Sequence, residues 1–244
     1  MKKAAALGLS LALTASMTLP ALAVEAVPIS AVVGYDTAIT LNGKALDTSA
    51  IPAVDGENMI PLRLIAESDY GSASWFEEEN NGWFYLEGGN ITVNFADNSI
   101  TVGDELVKSK ATVVSGVTFV DAGVLELLEG YDVAAAEDGS LTITTPNGTP
   151  FVQGAYAIRD AAGVYSSMKS GADVLVENYG VPEGALEEAV AFFPMITSPD
   201  TVILGKLAEG ADVEAVKAAF ETYRQNQEDT FSWYLSQNLP KVQN

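Results

Sequence analysis

The chain contains no histidine and no cysteine. Those two absences remove most catalytic machinery at once. Ser-His-Asp and Cys-His nucleophile systems, ordinary zinc and copper centres, and thiol redox pairs each need one residue or the other. Without cysteine there are no disulfides, so the fold must rest on its packed core. Positive charge is scarce as well: 12 Lys and Arg stand against 33 Asp and Glu, a net charge of −21. A nucleic-acid backbone is bound by clustered Lys and Arg that release counterions, so no nucleic-acid partner is expected. Acidity of this degree instead favours solubility and keeps copies of a protein apart. Beyond the N-terminus no long hydrophobic run exists, so no integral membrane segment is expected after processing. No cofactor and no metal site is expected from this composition.

What is present begins with a charged Met1-Lys2-Lys3, an apolar stretch from Ala4 to Leu13, and a small-x-small site at Ala21-Leu22-Ala23. That order reads as a signal peptide over residues 1–23, with Ala26 as a second cleavage option, and predicts a secreted, extracellular or cell-surface protein.

The most informative pattern occurs twice. Gly56-Glu57-Asn58-Met59-Ile60-Pro61-Leu62-Arg63-Leu64-Ile65-Ala66-Glu67 returns in outline as Gly116-Val117-Thr118-Phe119-Val120-Asp121-Ala122-Gly123-Val124-Leu125-Glu126-Leu127, offset by 60 positions, Met59 corresponding to Phe119. Each copy reads as a short strand running into an amphipathic helix that stops at glycine, Gly71 or Gly130, before a hairpin. Ahead of the first copy, Asn42-Gly43 sits in an alternating segment and signals a tight hairpin. Pro61 suits a first helical turn, and Arg63 with Glu67 has i,i+4 spacing. After it, Ser74-Trp75-Phe76 and Trp83-Phe84-Tyr85-Leu86 read as paired strands, and Ile91, Val93 and Phe95 with Ile100 and Val102 as another hairpin. In the second copy the helix is predicted over residues 121–129, with strands around Asp138-Gly139.

Residues 33–145 are thus predicted to form one α+β module, an antiparallel sheet with a duplicated strand-helix-hairpin unit. Residues 146–153, with prolines on both sides of Asn147-Gly148, read as a linker. Residues 154–244 read as a small α-β-β-α domain. Its expected parts are a helix over 155–170 with Ile158, Ala162, Tyr165 and Met168 on one face, and strands over 186–196 and 201–207. A long helix capped by Asp212 would carry Val213, Val216, Phe220, Tyr223, Thr230, Phe231 and Tyr234.

Ile39-x-Leu41-Asn42-Gly43-Lys44, Pro52-Ala53, the segment Met59-Ile60-Pro61-Leu62-Arg63-x-Ile65-Ala66-Glu67, and Trp75 resemble the copper amine oxidase N-terminal-like domain, also called the stalk domain. The resemblance covers residues 33–145 and implies an antiparallel sheet wrapped around helix, used as an appended non-catalytic module. It implies no oxidase activity, because the catalytic part of those enzymes holds copper with histidines. From Tyr179-Gly180-Val181 to Tyr234 the chain looks like a small uncharacterised domain common in exported proteins of Gram-positive bacteria, and that similarity implies no function.

Four groups of side chains invite chemistry. Ser166-Ser167-Met168-Lys169 has the Ser-x-x-Lys spacing, but no Lys-Thr-Gly or Ser-Asp-Asn partner accompanies it, and an ordinary helix surface is expected. A glycosidase pair is imaginable anywhere among 33 acids, so it carries no weight. Glu77 to Asn81 and Asp97-Asn98-Ser99 offer oxygens to calcium without the spacing of a calcium loop, and solvated turns are expected. Trp75, Phe76, Trp83, Phe84 and Tyr85 remain. On one exposed sheet face such aromatics would stack on sugar rings, although alternation commits some of them to the core. The sequence therefore predicts a non-enzymatic structural or adaptor protein of the bacterial surface. The alternative is a module binding cell-wall glycan through Trp75, Trp83 and Tyr85, and the expected partner is a surface protein or that glycan.

Overall fold

The computed structural model describes residues 34–243; the expected signal peptide, residues 1–23, and residue 33 lie outside them. The first strands, β1 (Ile39–Leu41) and β2 (Lys44–Ala45), are joined by Asn42 and Gly43 with φ of 50° and 79°. Two left-handed residues match a two-residue turn to strand twist, and Asn-Gly adopts that geometry at least cost. β3 (Met59–Pro61) runs directly into α1 (Leu62–Ser68), which buries Leu62, Ile65 and Ala66. A five-stranded antiparallel meander follows: β4 (Ser72–Phe76), β5 (Asn81–Leu86), β6 (Gly89–Asn94), β7 (Ser99–Val102) and β8 (Glu105–Lys110). The second copy supplies β9 (Thr112–Val114), β10 (Val117–Asp121), a 3-10 helix over Ala122–Leu127, β11 (Asp132–Ala135) and β12 (Leu141–Thr144).

The repeat shows as symmetry. β3 and β10 pair antiparallel with Ile60 opposite Val120, its own counterpart in the second copy. An approximate two-fold centre therefore lies between those residues. β12 then pairs with β1 in parallel, Ile39 against Leu141, so the first and last strands of the module close on each other. This is one parallel pair in an otherwise antiparallel module. A single apolar cluster from Ile39 to Ile143 fills the space between the sheets. The helix expected over 121–129 is instead the shorter, tighter 3-10 turn. Asp121 accepts from the Gly123 amide at 2.9 Å, two residues on, and Gly123 itself disfavours an α-helical turn.

Residues 146–153, read as a linker, are taken up by regular structure. Pro146–Gly148 forms a 3-10 turn capped by Thr145, and α2 (Pro150–Ala161) starts under a Thr149 cap. The helix expected over 155–170 therefore begins earlier and ends at Ala161, before Gly163 and Ser166 at φ 69° and 55°. Its buried face is Val152, Ala155 and Tyr156; Ile158, Tyr165 and Met168 are exposed. β13 (Ser167–Ser170) and α3 (Ala172–Tyr179) follow, neither of them expected, then β14 (Leu186–Pro194), β15 (Val202–Leu207), α4 (Val213–Trp233) and a terminal α5 (Leu239–Val242). The sheet order is β13-β14-β15. On β14, Val190 and Phe192 pack against α2, whereas Ala191 and Phe193 pack with Leu175 of α3 and Val216 and Ala219 of α4. A strand covered on both faces reads as an unbroken apolar run, which is why alternation was absent there. On α4, Val216 and Phe231 are buried and Phe220 and Tyr223 partly so, while Val213 and the capping Tyr234 face solvent. Among the described residues no helix is long and apolar enough to cross a membrane.

Candidate functional site

The five-stranded meander has two unlike faces, and its register assigns every residue to one of them. Ala73, Gly82, Phe84, Ile91, Val93, Ile100 and Val102 face the core. Trp75 lies opposite Gly82 and so belongs to that inner side. It remains 54% exposed because it sits at the open end of the sheet, with its ring 5.0 Å from Phe95. Gly82 makes room for this, since a Cβ there would come within 2.8 Å of the Phe95 ring. Trp75 and Phe95 wall a groove of about 380 Å³ together with Pro61, Leu64, Phe84 and Val117.

Trp83 and Tyr85 lie on the other side. The sequence reading placed the candidate aromatics together on one face; the register separates them, because the turn between Phe76 and Asn81 pairs Trp83 with Ser74 rather than with Trp75. The outer face carries three cross-strand rows. One is Ser74, Trp83, Thr92, Thr101 and Leu106; the next is Phe76, Asn81, Asn94, Ser99 and Lys110; the third is Ser72, Tyr85 and Asn90. Phe76, Trp83 and Tyr85 form a stripe across two strands, with ring centroids 5.8 and 6.0 Å apart. The strand positions around them carry only hydroxyls and amides until the β8 edge, and the exposed, acidic Glu77–Glu79 turn follows Phe76 at the end of β4. Two buried polar atoms on this face have no partner among the described residues, the Asn81 Oδ1 acceptor and the Trp83 Nε1–H donor. Buried polar atoms are normally satisfied, so these two stand out among the described residues.

The stripe leads to a cleft between the two halves of the molecule. Its walls include Ser72, Tyr85, Glu87 and Tyr70 from one side and Tyr156, Arg159, Met168, Lys169 and Met195 from the other. Tyr70 stacks on Tyr156 at 3.6 Å with rings 5° from parallel, and the Arg159 guanidinium lies 4.7 Å from the Tyr156 centroid and 5.2 Å from that of Tyr70. Tyr70 makes this contact from a left-handed backbone, φ 64°, a conformation worth about 1–3 kcal/mol of strain in a bulky residue unless its surroundings enforce it. Arg159 is also held by Asp160, Nε to Oδ1 at 2.9 Å.

Behind the cleft runs a buried polar chain. Asp69, 2% exposed at the end of α1, accepts from Asn42 Nδ2 at 3.0 Å, Thr145 Oγ1 at 2.9 Å and Tyr131 OH at 3.2 Å. Asn147 donates to the Asp69 carbonyl at 3.1 Å and accepts from Lys169 Nζ at 2.7 Å, and Lys169 pairs with Glu87 at 2.9 Å. Burial pushes the Asp69 carboxyl up from its ordinary value, against the lowering effect of its hydrogen bonds. Burial likewise pushes the Tyr131 and Tyr156 phenols well up; Tyr131 donates to Asp69, and Tyr156 offers its ring to Tyr70.

The remaining candidates dissolve into structure. Ser166 occupies a turn and Lys169 a strand, so the Ser-x-x-Lys segment lies on no helix, and its lysine is engaged by Glu87 and Asn147. Glu77 to Asn80 is the exposed β4–β5 turn. Asp97 closes its own turn by accepting from the Ser99 amide at 3.0 Å, and the Ser99 side chain together with that amide holds its carboxyl below the ordinary value. Among the described residues no group of three or more acidic residues is arranged to hold a metal ion.

Residues 160–244 match the family model of DUF4358, a domain of unknown function. The match begins near the end of α2 and takes in β13 to α5, so the DUF4358 region contributes Met168, Lys169 and Met195 to the cleft. No match supports the stalk resemblance of residues 33–145. No curated protein matches the chain, and no solved structure does. Sequence reading missed the cleft residues Tyr70, Glu87, Tyr156 and Arg159, and singled out Lys169 only for its Ser-x-x-Lys spacing. One signal was available: the first copy ends Tyr70-Gly71 where the second has Gly130-Tyr131, an inversion at a helix end that marks Tyr70 as special.

Proposed function

We propose that this is a secreted, non-catalytic binding protein of the bacterial cell surface, and that the outer face of the β4–β8 sheet takes an uncharged glycan of the cell wall. A stalk-like N-terminal module would display that face. The observation that carries the reading is the Phe76, Trp83 and Tyr85 stripe set among Ser, Thr and Asn on a strongly acidic chain. Sugar rings offer C–H faces to aromatic rings and hydroxyls to amides, and both are supplied here at neighbouring positions. The missing histidine and cysteine, and an Asp69 carboxylate already occupied by three donors, support a binding role over a catalytic one. The test is sedimentation of the mature protein with purified wall polysaccharide. Trp83→Ala is expected to weaken retention about tenfold or more, as loss of a central aromatic anchor does, while Trp75→Ala, on the opposite face, leaves it unchanged. Loss with Trp75→Ala and retention with Trp83→Ala would overturn the assignment of the face.

A second reading, an adaptor for another surface protein, is favoured by a different patch. Tyr165, Met168, Met195 and Ile196 are all more than 60% exposed and cluster where the Met195 amide donates to the Ser166 carbonyl. Flexible methionines beside an aromatic ring suit a protein surface. Cross-linking at Met195 that captures one defined protein, with no retention on wall material, would favour it over the glycan.

A further inference from the structure

The aromatic stripe and the cleft share residues. Tyr85 and Ser72 face each other across β4 and β5 on the outer face, and both line the cleft, which has a volume of about 570 Å³. A chain lying along Phe76, Trp83 and Tyr85 is therefore led into the space between the two halves. There it meets Lys169 and Glu87, whose side chains are 20% and 30% exposed and 2.9 Å apart. An ammonium carries three N–H donors. Among the described residues, one of those on Lys169 goes to Asn147 Oδ1, and the ammonium is ion-paired with Glu87 Oε2 at 2.9 Å. Glu87 keeps its second oxygen as an acceptor. The pair thus presents a donor and an acceptor side by side, the complement of two neighbouring hydroxyls, one accepting from the lysine and one donating to the glutamate.

The rest of the cleft fits a neutral ring better than an anion. Arg159 is neutralised by Asp160 and has its face against Tyr156 and Tyr70, and Lys169 is neutralised by Glu87. Tyr85, Met168 and Met195 supply apolar contact around the polar pair. The walls are fixed before any ligand arrives. Lys169 is held by Asn147, which is 1% exposed and bonded to the Asp69 carbonyl, and the left-handed Tyr70 is locked by its stack on Tyr156. A site fixed in this way loses little freedom on binding.

We infer that the cleft holds the terminal ring of the glycan, a neutral sugar with two adjacent free hydroxyls bound by Lys169 and Glu87, so that both halves of the molecule form one site. This rests on the proposed glycan-binding face and adds an end-specific subsite to it. The test uses the whole mature protein with wall polysaccharide and with a length series of soluble neutral oligosaccharides, with terminal hydroxyls free or O-methylated. Wild type is expected to bind the free-ended oligosaccharides about tenfold more tightly than the methylated ones, the loss that unpairing buried polar partners brings. Glu87→Gln should remove most of that difference, and Met195→Trp, at a site 73% exposed, should close the cleft mouth without disturbing the fold. Sedimentation with long polysaccharide should survive in both variants, because the stripe is intact. If both variants discriminate the methylated end as wild type does, while Trp83→Ala loses all binding, the terminal subsite is wrong and the glycan face stands. If wild type binds neither the polysaccharide nor any oligosaccharide, both are wrong. If Glu87→Gln unfolds, Met195→Trp alone decides.

Discussion

The two copies of the repeat end in the same two residues in opposite order, Tyr70-Gly71 in the first and Gly130-Tyr131 in the second, and the exchange sends one aromatic ring outward and the other inward. The left-handed position falls at Tyr70 and at Gly130, φ 64° and 78°. In the second copy glycine takes the strained conformation at no steric cost, and the Pro146 ring lies close enough to forbid a side chain there. Tyr131 then turns into the core and donates to Asp69. In the first copy the order must be reversed, because a Cβ at residue 71 would run into the backbone carbonyl of Tyr85 and approach that of Ala66. Glycine goes where β5 presses in, and the strained position is left to a tyrosine that reaches across to Tyr156. The comparison teaches that the duplicated scaffold has been differentiated at one dipeptide, into an internal clamp at one end and a docking contact at the other.

The sharpest way to break that comparison is Gly71→Ala. The obstructing atoms are backbone, which cannot swing aside, so α1 or β5 must shift. Destabilisation of about 3 kcal/mol is expected, among the larger effects of a single substitution. Chemical denaturation of the mature chain measures it. A cost below about 1 kcal/mol would mean that β5 yields and that the glycine was not required there.

A smaller effect tests the inward clamp. Burial raises the Asp69 carboxyl above 3.8 in the folded state. Between that ordinary value and the raised one the folded chain binds more protons than the unfolded chain, so this group's contribution to stability falls as pH rises through the window. Above the raised pKa the cost of the buried charge is fully present; below 3.8 it vanishes. Asp69→Asn is neutral throughout. Thermal unfolding of both proteins from pH 4 to pH 7 should therefore show the difference, variant minus wild type, moving in favour of asparagine as pH rises. The surface carboxylates held low by their hydrogen bonds, Asp97 and Asp138 among them, titrate alike in both proteins and cancel in the difference. A difference that is flat, or that moves the other way, would show Asp69 charged at little cost.

Much of the fold was legible because its signals are local. Asn42-Gly43, the alternation through Ile91 and Val93 and the Asp212 cap each act over a few residues, and each appears where the sequence placed it, while Pro61 stands one position earlier than expected, as the extended N-cap that ends β3. The site was less legible, for two reasons. Which face Trp75 occupies depends on the pairing register, and one residue more or less in the Glu77–Asn80 turn would have put it beside Trp83. The cleft joins Tyr70 and Glu87 to Tyr156 and Lys169, residues remote in sequence and brought together only by packing, and no period or spacing announces such a meeting. The missed helix α3 has a related cause. Val174, Leu175 and Tyr179 are apolar at helical spacing, but the segment is only eight residues long and follows a strand that itself reads as helix.

The smallest expected effect is at Tyr70 itself, where two terms oppose each other. Replacing it with glycine, as the second copy has it, relieves a left-handed backbone worth about 1–3 kcal/mol but removes the ring that stacks on Tyr156, worth about 0.5–1.5 kcal/mol, and one of the rings beside Arg159. Tyr70→Gly is therefore expected to change global stability by no more than about 1 kcal/mol, because relief and loss nearly cancel. Its consequence should be local. With the stack gone, amide hydrogen exchange in Tyr156 to Ala161 should accelerate, while Ile60 to Ala66 stays protected by the core. A loss of stability several-fold larger, spread over both halves, would mean that the Tyr70 contact holds the whole molecule together. In that case the two copies would differ in importance as well as in direction.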